Sequence, residues 1–173
     1  MARKVGEKNE RAVIEAIQNR RSVRRFRKAR LRPGVIEDIL EAGRWAPSGL
    51  NNQPWKFLVL AGEKKDAIGV FTHYASVVKG ADAVIAVFLD HNLGYNRDRD
   101  CMAIGAAIQN MLLVIHAKGL GGCWLGEIVN RKNKVSAFLH MPKNLELAAV
   151  VAVGVARTYP RRGRRRALKK CIL

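Results

Sequence analysis

The chain has 173 residues, 32 of them Lys or Arg and 14 Asp or Glu, so its formal net charge is +18 at pH 7. An apolar fraction of 49% excludes a disordered chain and predicts one folded domain over residues 1–173 with a core of its own. The strongly basic charge argues against a plain small-molecule enzyme and keeps nucleic acid among the partners to be weighed.

Cysteine, histidine and hydropathy patterns set further limits. The three cysteines are far apart without a Cys-x-x-Cys pair, which predicts neither disulfides nor zinc and fits a reducing cytoplasm. The four histidines occur singly, so we expect no metal site. The charged start of the chain predicts no signal peptide. The most apolar run, Ala103 to Ala117, is interrupted by polar residues and predicts a buried helix rather than a membrane span.

Capping residues predict two helices in the first fifty residues. Asn9 is a suitable N-cap for a helix through Asn19. Pro33 suits the first turn of a second helix, which Pro47 ends.

The next segment predicts two strands. Lys56 to Ala61 and Ala83 to Leu89 are apolar runs typical of buried strands, with a short helix over Glu63 to Val70 between them. A polar loop follows over Asp90 to Arg99.

The second half of the chain continues the mixed pattern. Its helices are predicted to begin at the N-caps Asp100 and Asn130. In order, we predict a helix over Asp100–Lys118, a strand over Gly122–Leu125, a helix over Asn130–Leu139, a strand over Leu145–Val155 and a basic arm from about Arg157.

A loop between the second helix and the first strand gives the first functional signal. From Pro47 to Trp55 it reads Pro-Ser-Gly-Leu-Asn-Asn-Gln-Pro-Trp, with prolines on both sides of small and amide residues. Prolines restrict the backbone, so the groups between them lose little entropy on binding a planar polar ligand. Taken alone, the composition is equally typical of a surface turn.

A second signal lies upstream, where Arg20 to Phe26 reads Arg-Arg-Ser-Val-Arg-Arg-Phe. Four guanidinium groups around one hydroxyl suit a phosphate. An isolated arginine run is also typical of a solvated basic patch or a nucleic-acid contact.

These two segments, in this order, resemble the FMN-dependent nitroreductase family, and the resemblance continues downstream. The runs Gly105–Leu113 and Gly119–Gly126 are similar to that family's central helix and the flavin-side loop after it. The basic segment Arg161–Leu168 is similar to its closing arginine motif. The resemblance covers about residues 16–168, nearly the whole chain.

The resemblance implies which residues bind FMN. The first motif would contact the phosphate, ribityl chain and pyrimidine edge, and the Pro47 loop would reach the flavin from the partner subunit. The segment after Cys123 would lie beside the isoalloxazine, and a tail arginine would bind the phosphate. The implied residues are Arg20, Arg21, Ser22, Arg24, Pro47, Ser48, Asn51, Gln53, Trp124, Leu125, Gly126 and Arg165, with Arg164 and Arg166 as alternatives to the last. No flavin-contacting polar residue stands out from Thr72 to Lys79.

The resemblance also implies a fold and a reaction. We expect an α+β sandwich, with a mostly antiparallel central sheet flanked by helices, in an obligate homodimer with FMN at the subunit interface. We expect NADH or NADPH to reduce FMN, which then reduces nitroaromatics, quinones or flavins in ping-pong order. No catalytic side chain is expected, because the cofactor carries the chemistry.

One alternative remains open. Lysines and arginines crowd residues 20–32 and 157–170, where no carboxylate occurs, as in proteins that bind nucleic acid. No ribonucleoprotein, finger or zipper pattern accompanies them. The alternative is a basic nucleic-acid-binding protein on a flavin-free version of the same fold.

Overall fold

A computed structural model of the chain describes residues 7–161 and 163–173, with side chains from residue 10 onward. The α-helices of this part are α1 (Glu7–Asn19), α2 (Val35–Arg44), α3 (Gly62–Ala67), α4 (Ala75–Gly80), α5 (Arg97–Ala117) and α6 (Lys132–Phe138). The β-strands are β1 (Trp55–Ala61), β2 (Ala83–Asp90), β3 (Gly121–Leu125) and β4 (Leu145–Gly154). The predicted elements occur in the predicted order, and α4 is an additional helix that the sequence did not predict.

The strands form one antiparallel sheet in the order β1-β2-β4-β3. Every residue of the central strand β2 is buried, because helices cover both faces of the sheet. Side chains of α2 and α5 share one core layer, and side chains of α4 and α6 share the other. The predicted α+β sandwich is therefore confirmed.

A β-bulge in β4 keeps paired side chains of the two central strands, β2 and β4, on the same face of the sheet. Val87 pairs with Ala149, but the next residue, Phe88, pairs with Leu147, so Ala148 is the extra residue. As a result Phe88 and Leu147 lie in one core layer, while Val87 and Ala149 lie in the other.

Helix α5 is the helix that the sequence predicted to be buried. Its composition alone does not distinguish a buried helix from a membrane span, but its packing does. Its 21 residues are long and apolar enough, by length and composition alone, to cross a membrane. One side packs on α2 and the sheet through Ala103, Ile104, Ala107, Ile108, Met111, Leu112 and Ile115. Asn110, a polar interruption, donates its Nδ2 to Ala42 O at 3.1 Å. We therefore describe α5 as a core helix of this domain.

The predicted starts of the first two helices are wrong, by three residues for α1 and by two for α2. Helix α1 begins at Glu7, so Asn9 lies inside it. Helix α2 begins at Val35 rather than Pro33, because Gly34 has a φ of 79° and turns the chain just before the helix.

The predicted caps of the later helices are also wrong. Asn96 caps α5, since its side chain accepts the Arg99 N–H at 3.1 Å, and Asp100 lies inside the helix. Asn130 lies within a short 3₁₀ helix that ends at Arg131, directly before α6.

The carboxylate of Glu146 ties β4 to α5, α6 and the loop after β2. Arg97 Nη2 and Lys132 Nζ lie 2.8 and 2.6 Å from Oε1, and His91 Nε2 lies 2.9 Å from Oε2. The hydrogen bond from Arg97, followed by that from Lys132, lowers the pKa of Glu146 to about 2.

Replacing Glu146 by Gln should lower the free energy of unfolding at neutral pH by about 1–2 kcal/mol, after allowance for solvent screening at the exposed Arg97. Because the folded-state pKa is depressed, this contribution is present above the ordinary pKa of 4.5 and is lost as the pH falls towards 2. Urea unfolding at neutral pH and at about pH 3 should show the difference shrinking. Glu10→Gln, at an exposed site on α1, is the control. A difference that does not change with pH would contradict this account.

Candidate functional site

Backbone pairing holds the arginine segment against the sheet edge. Val23 N donates to Gly122 O at 2.9 Å, and Ser22 forms a parallel bridge with Gly122. This close approach requires glycine in β3, because a Cβ at Gly121 would lie 2.7 Å from Val23 Cγ1. Val23 is buried, so its neighbours Ser22 and Arg24 face away from the core.

The same segment pairs with the chain after β4. Arg27 N donates to Val155 O and Arg157 N donates to Arg25 O, both at 2.9 Å. The two carboxylate-free tracts of the sequence therefore lie side by side and form one basic surface.

Arg20, Arg21 and Arg165 converge beside the last turn of α5. Burial, followed by the positive charges of Arg165 and Arg21, lowers the pKa of Arg20. Burial and the charges of Arg20 and Arg21 likewise lower the pKa of His116, in that last turn. Within the described residues, none of these arginines forms an ion pair with a carboxylate. Grouped cations without counter-charges, of which Arg20 and Arg21 are partly buried, indicate an anion-binding site.

The tail contributes one arginine to this site. Arg165 and Gly163 line a cleft of about 470 Å³ together with Arg21. Neither Arg164 nor Arg166 lines it, although Arg165 Nη1 donates to Arg164 O at 2.9 Å. Arg162, in the same motif, lies outside the described residues.

Trp124 lies on strand β3, two residues beyond Gly122, with which the arginine segment (residues 20–26) pairs. The indole lies over α5 at Gly105 and, on its other side, close to Gly126, and it is 42% exposed. Leu125 is buried. Burial raises the pKa of the Cys123 thiol, against the opposing effect of Arg24 and Arg20, so this cysteine is a core residue rather than a nucleophile.

The Pro47 loop is strained. Leu50, Asn51 and Gln53 have φ values of 54°, 54° and 49°, in the left-handed region that side chains disfavour. Ser48 Oγ accepts the Gln53 N–H at 3.0 Å, and Gln53 Nε2 donates to Asn51 O at 3.3 Å. Clustered strain of this kind, on the order of 1–3 kcal/mol per residue, is typical of ligand-binding segments.

The loop is fixed to the start of α5 by Asp100, which the sequence did not single out for this role. Its buried carboxylate accepts from Asn52 Nδ2 at 2.8 Å and from the backbone N–H groups of Tyr95 and Asn96 at 3.0 and 3.1 Å. A Cβ at Gly49 would overlap the Tyr95 hydroxyl, so glycine is needed there too.

Most of the predicted site residues fall into two groups towards opposite ends of α5. Along the helix axis, Asp100 and His116 are about 24 Å apart at about 1.5 Å per residue. The group towards His116 contains Arg20, Arg21, Ser22, Arg24 and Arg165. Trp124, which Leu125 and Gly126 follow in the chain, lies against Gly105, between the two ends of the helix. The group near Asp100 contains Pro47, Ser48, Asn51 and Gln53.

The segment from Thr72 has a positioning contact that the sequence did not reveal. Thr72 Oγ1 donates to Glu127 Oε2 at 2.6 Å, and His73 N donates to the same oxygen at 3.2 Å. The Thr72 hydrogen bond is the main cause that lowers the pKa of Glu127. Because Glu127 follows Gly126, this contact fixes the end of the segment that begins at Trp124.

Comparison with known proteins identifies the architecture. The sequence profile of the Nitroreductase family matches residues 17–73 and 71–155. An Archaeoglobus fulgidus protein, provisionally named NADH dehydrogenase/NAD(P)H nitroreductase, is 33% identical over 82% of this chain and 83% of its own length.

Solved structures of similar proteins have the same fold. A nitroreductase-like protein from Desulfovibrio desulfuricans, crystallised in complex with FMN, is 41% identical and covers 93% of this chain and 95% of its own, with a TM-score of 0.89. A protein of Clostridium acetobutylicum, provisionally named NADH oxidase, is 29% identical over 91% of this chain and 97% of its own, with a TM-score of 0.84.

Replacing Asp100 by Ala should make the Pro47 loop more mobile. The variant loses three hydrogen bonds to a buried carboxylate, so the free energy of unfolding should fall by about 2–3 kcal/mol and limited proteolysis should cut the loop faster. Asp98→Ala, on the exposed side of the same helical turn, should change stability by less than about 0.5 kcal/mol. Equal effects of the two substitutions would contradict the anchoring role of Asp100.

Proposed function

We propose that this chain, which belongs to the nitroreductase family, is an FMN-dependent oxidoreductase that transfers hydride from NAD(P)H to small acceptors. The observation that carries the proposal is that Arg20, Arg21 and Arg165 converge near the Trp124 segment and form no ion pair with a carboxylate of the described residues. The FMN phosphate is an anion of suitable charge for that site, and guanidinium groups match its oxygens.

The chain's own groups have distinct tasks in this scheme. Arg20, Arg21 and Arg165 hold the phosphate, and the Ser22 hydroxyl adds a neutral hydrogen bond. Arg24 provides positive charge near the pyrimidine edge, where it favours the anionic form of a reduced flavin.

Bound FMN would supply the redox chemistry, accepting hydride from NADH or NADPH and passing it to the acceptor in ping-pong order. The segment from Trp124 to Gly126 would form the wall beside the isoalloxazine, with Leu125 contributing only its backbone because its side chain is buried. Thr72 holds the end of this segment through Glu127. No side chain needs to act as a nucleophile or base. Trp124 is partly exposed, which favours acceptors of varied shape such as nitroaromatics, quinones and flavins.

We infer further that the active form is a homodimer with FMN at the subunit interface. Apolar side chains of α1 remain exposed at Val13, Ile14 and Ile17, and Met102 on α5 is 74% exposed. Two copies with antiparallel α5 helices would cover these residues and bring the Pro47 loop of one copy to the arginine group of the other. The absence of any Cys-x-x-Cys pair fits a reducing cytoplasm as its location.

An absorption spectrum of the purified protein tests the proposal directly. Flavin bands that bleach on addition of NADH or NADPH without oxygen are expected. A colourless protein that does not bind added FMN, but is retained on DNA with steep salt dependence, would contradict the proposal and favour the nucleic-acid-binding alternative.

Arg165→Gln should weaken FMN binding by about 10- to 100-fold, the effect of losing one charge-assisted hydrogen bond. Arg166→Gln removes the same charge one residue away, outside the cleft, and should change the Kd by less than about threefold. Fluorescence titration of the apoprotein with FMN measures both. Equal losses would show that overall charge, rather than the cleft, binds the phosphate.

A further inference from the structure

Resting on the proposed function, we propose that a second basic cleft, beside the flavin site, binds the 2′-phosphate end of NADPH and makes NADPH the preferred donor. The cleft, here called the Arg157 cleft, has a volume of about 420 Å³. Its polar lining consists of Arg24, Arg25, Arg157, Tyr74 and Ser76.

The arginines of the Arg157 cleft are placed by rigid backbone pairing. Arg157 N donates to Arg25 O at 2.9 Å, and the adjacent Phe26 forms an antiparallel bridge with Ala156. Phe26 also lines the cleft and provides an apolar wall. Guanidinium groups on paired backbone segments lose less entropy on binding than groups on a free tail.

No counter-charge neutralises this cleft from within the described residues. None of its three arginines forms an ion pair with a carboxylate there. Asp82 approaches the same crossing of segments, but its carboxylate faces the backbone of Val155 and Ala29. Arg24 is assigned to the flavin, so Arg25 and Arg157 are the guanidinium groups that remain for a ligand in the cleft, and two guanidinium groups in a concave site suit a phosphate dianion.

The position of the cleft suits binding of the electron donor, NADPH, rather than of FMN itself. Arg24 lines the cleft, and the adjacent Val23 N donates to Gly122 O at 2.9 Å, two residues before Trp124 on β3. The cleft therefore adjoins the wall beside which the isoalloxazine would lie. A donor whose nicotinamide stacks there has its adenosine end free to reach the cleft.

The lining also fits adenosine. Tyr74 is 38% exposed and presents an aromatic face on which a base can stack, and Ser76 offers a hydroxyl. The volume lies in the range of small-ligand sites and suits half a dinucleotide. NADPH differs from NADH only by the phosphate on this half, so the arginines discriminate between the two donors.

Equilibrium binding of nucleotide fragments tests the cleft without any flavin chemistry. By calorimetry at about 0.15 M salt, 2′,5′-ADP should bind wild-type protein about 5-fold or more tightly than 3′,5′-ADP, which has the same charge in another place. Arg157→Gln should weaken 2′,5′-ADP binding by about 10-fold or more. Arg30→Gln, an exposed site of the same basic surface outside the cleft, should stay within about twofold of wild type.

Steady-state kinetics of the FMN-loaded enzyme gives the second readout. Arg157→Gln should lower kcat/KM for NADPH by about 10-fold, through KM, and change kcat/KM for NADH by less than about threefold. Equal losses with both donors would overturn the assignment of the 2′-phosphate.

Three other results would overturn the proposal. They are equal binding of the two ADP isomers, equal effects of Arg157→Gln and Arg30→Gln, and tighter binding of a single-stranded oligonucleotide than of 2′,5′-ADP, which would assign the cleft to nucleic acid. A protein that holds no FMN would contradict the proposed function instead, and the calorimetry would still decide the cleft.

Discussion

The burial of helix α5 is the constraint on which the rest of the structure depends. A 21-residue helix that is apolar on most sides must be covered on most sides, and α2 and the sheet cover only one of them. The side with Met102, Gly105 and Ala106 remains partly exposed, and its small residues allow another helix to approach closely. Because the Pro47 loop is fixed at one end of α5 and the arginines lie at the other, the second copy that we propose would complete the site as well as cover this side.

The site contains unfavourable charge contacts and backbone conformations of a kind that the rest of the fold largely avoids. Arg20 lies near other arginines, with no ion-paired carboxylate among the described side chains to offset them, and Leu50 has a left-handed backbone. Both features lower the stability of the free protein, and binding of the proposed FMN would offset this cost. Ligand binding then stabilises the fold by mass action, so the free energy of unfolding should rise with ligand concentration.

Sequence reasoning succeeded where one physical effect dominates. Strands buried on both faces are continuous apolar runs, as in β2 and β4. It failed where contacts between residues distant in the sequence determine the local structure. Helix α4 is six residues long and is stabilised by burying Val77 and Val78, which no local pattern reveals. The pairing of Asn52 with Asp100 joins residues 48 positions apart, so Asp100 was mistaken for a cap. The resemblance favoured Arg165 but left Arg164 and Arg166 as alternatives, and only the fold shows that Arg165 lines a cleft with Arg21 whereas the other two do not.

Subunit complementation tests the divided site most directly. One chain would carry Arg20→Gln and Arg165→Gln, and a differently tagged chain would carry Ser48→Ala and Asn51→Ala. Each variant alone should bind FMN poorly. Purified heterodimers should bind about one FMN per dimer tightly, because one of their two sites then combines two unmodified halves. Heterodimers that bind no more FMN than either parent would show that each site lies within a single chain, which would contradict the account.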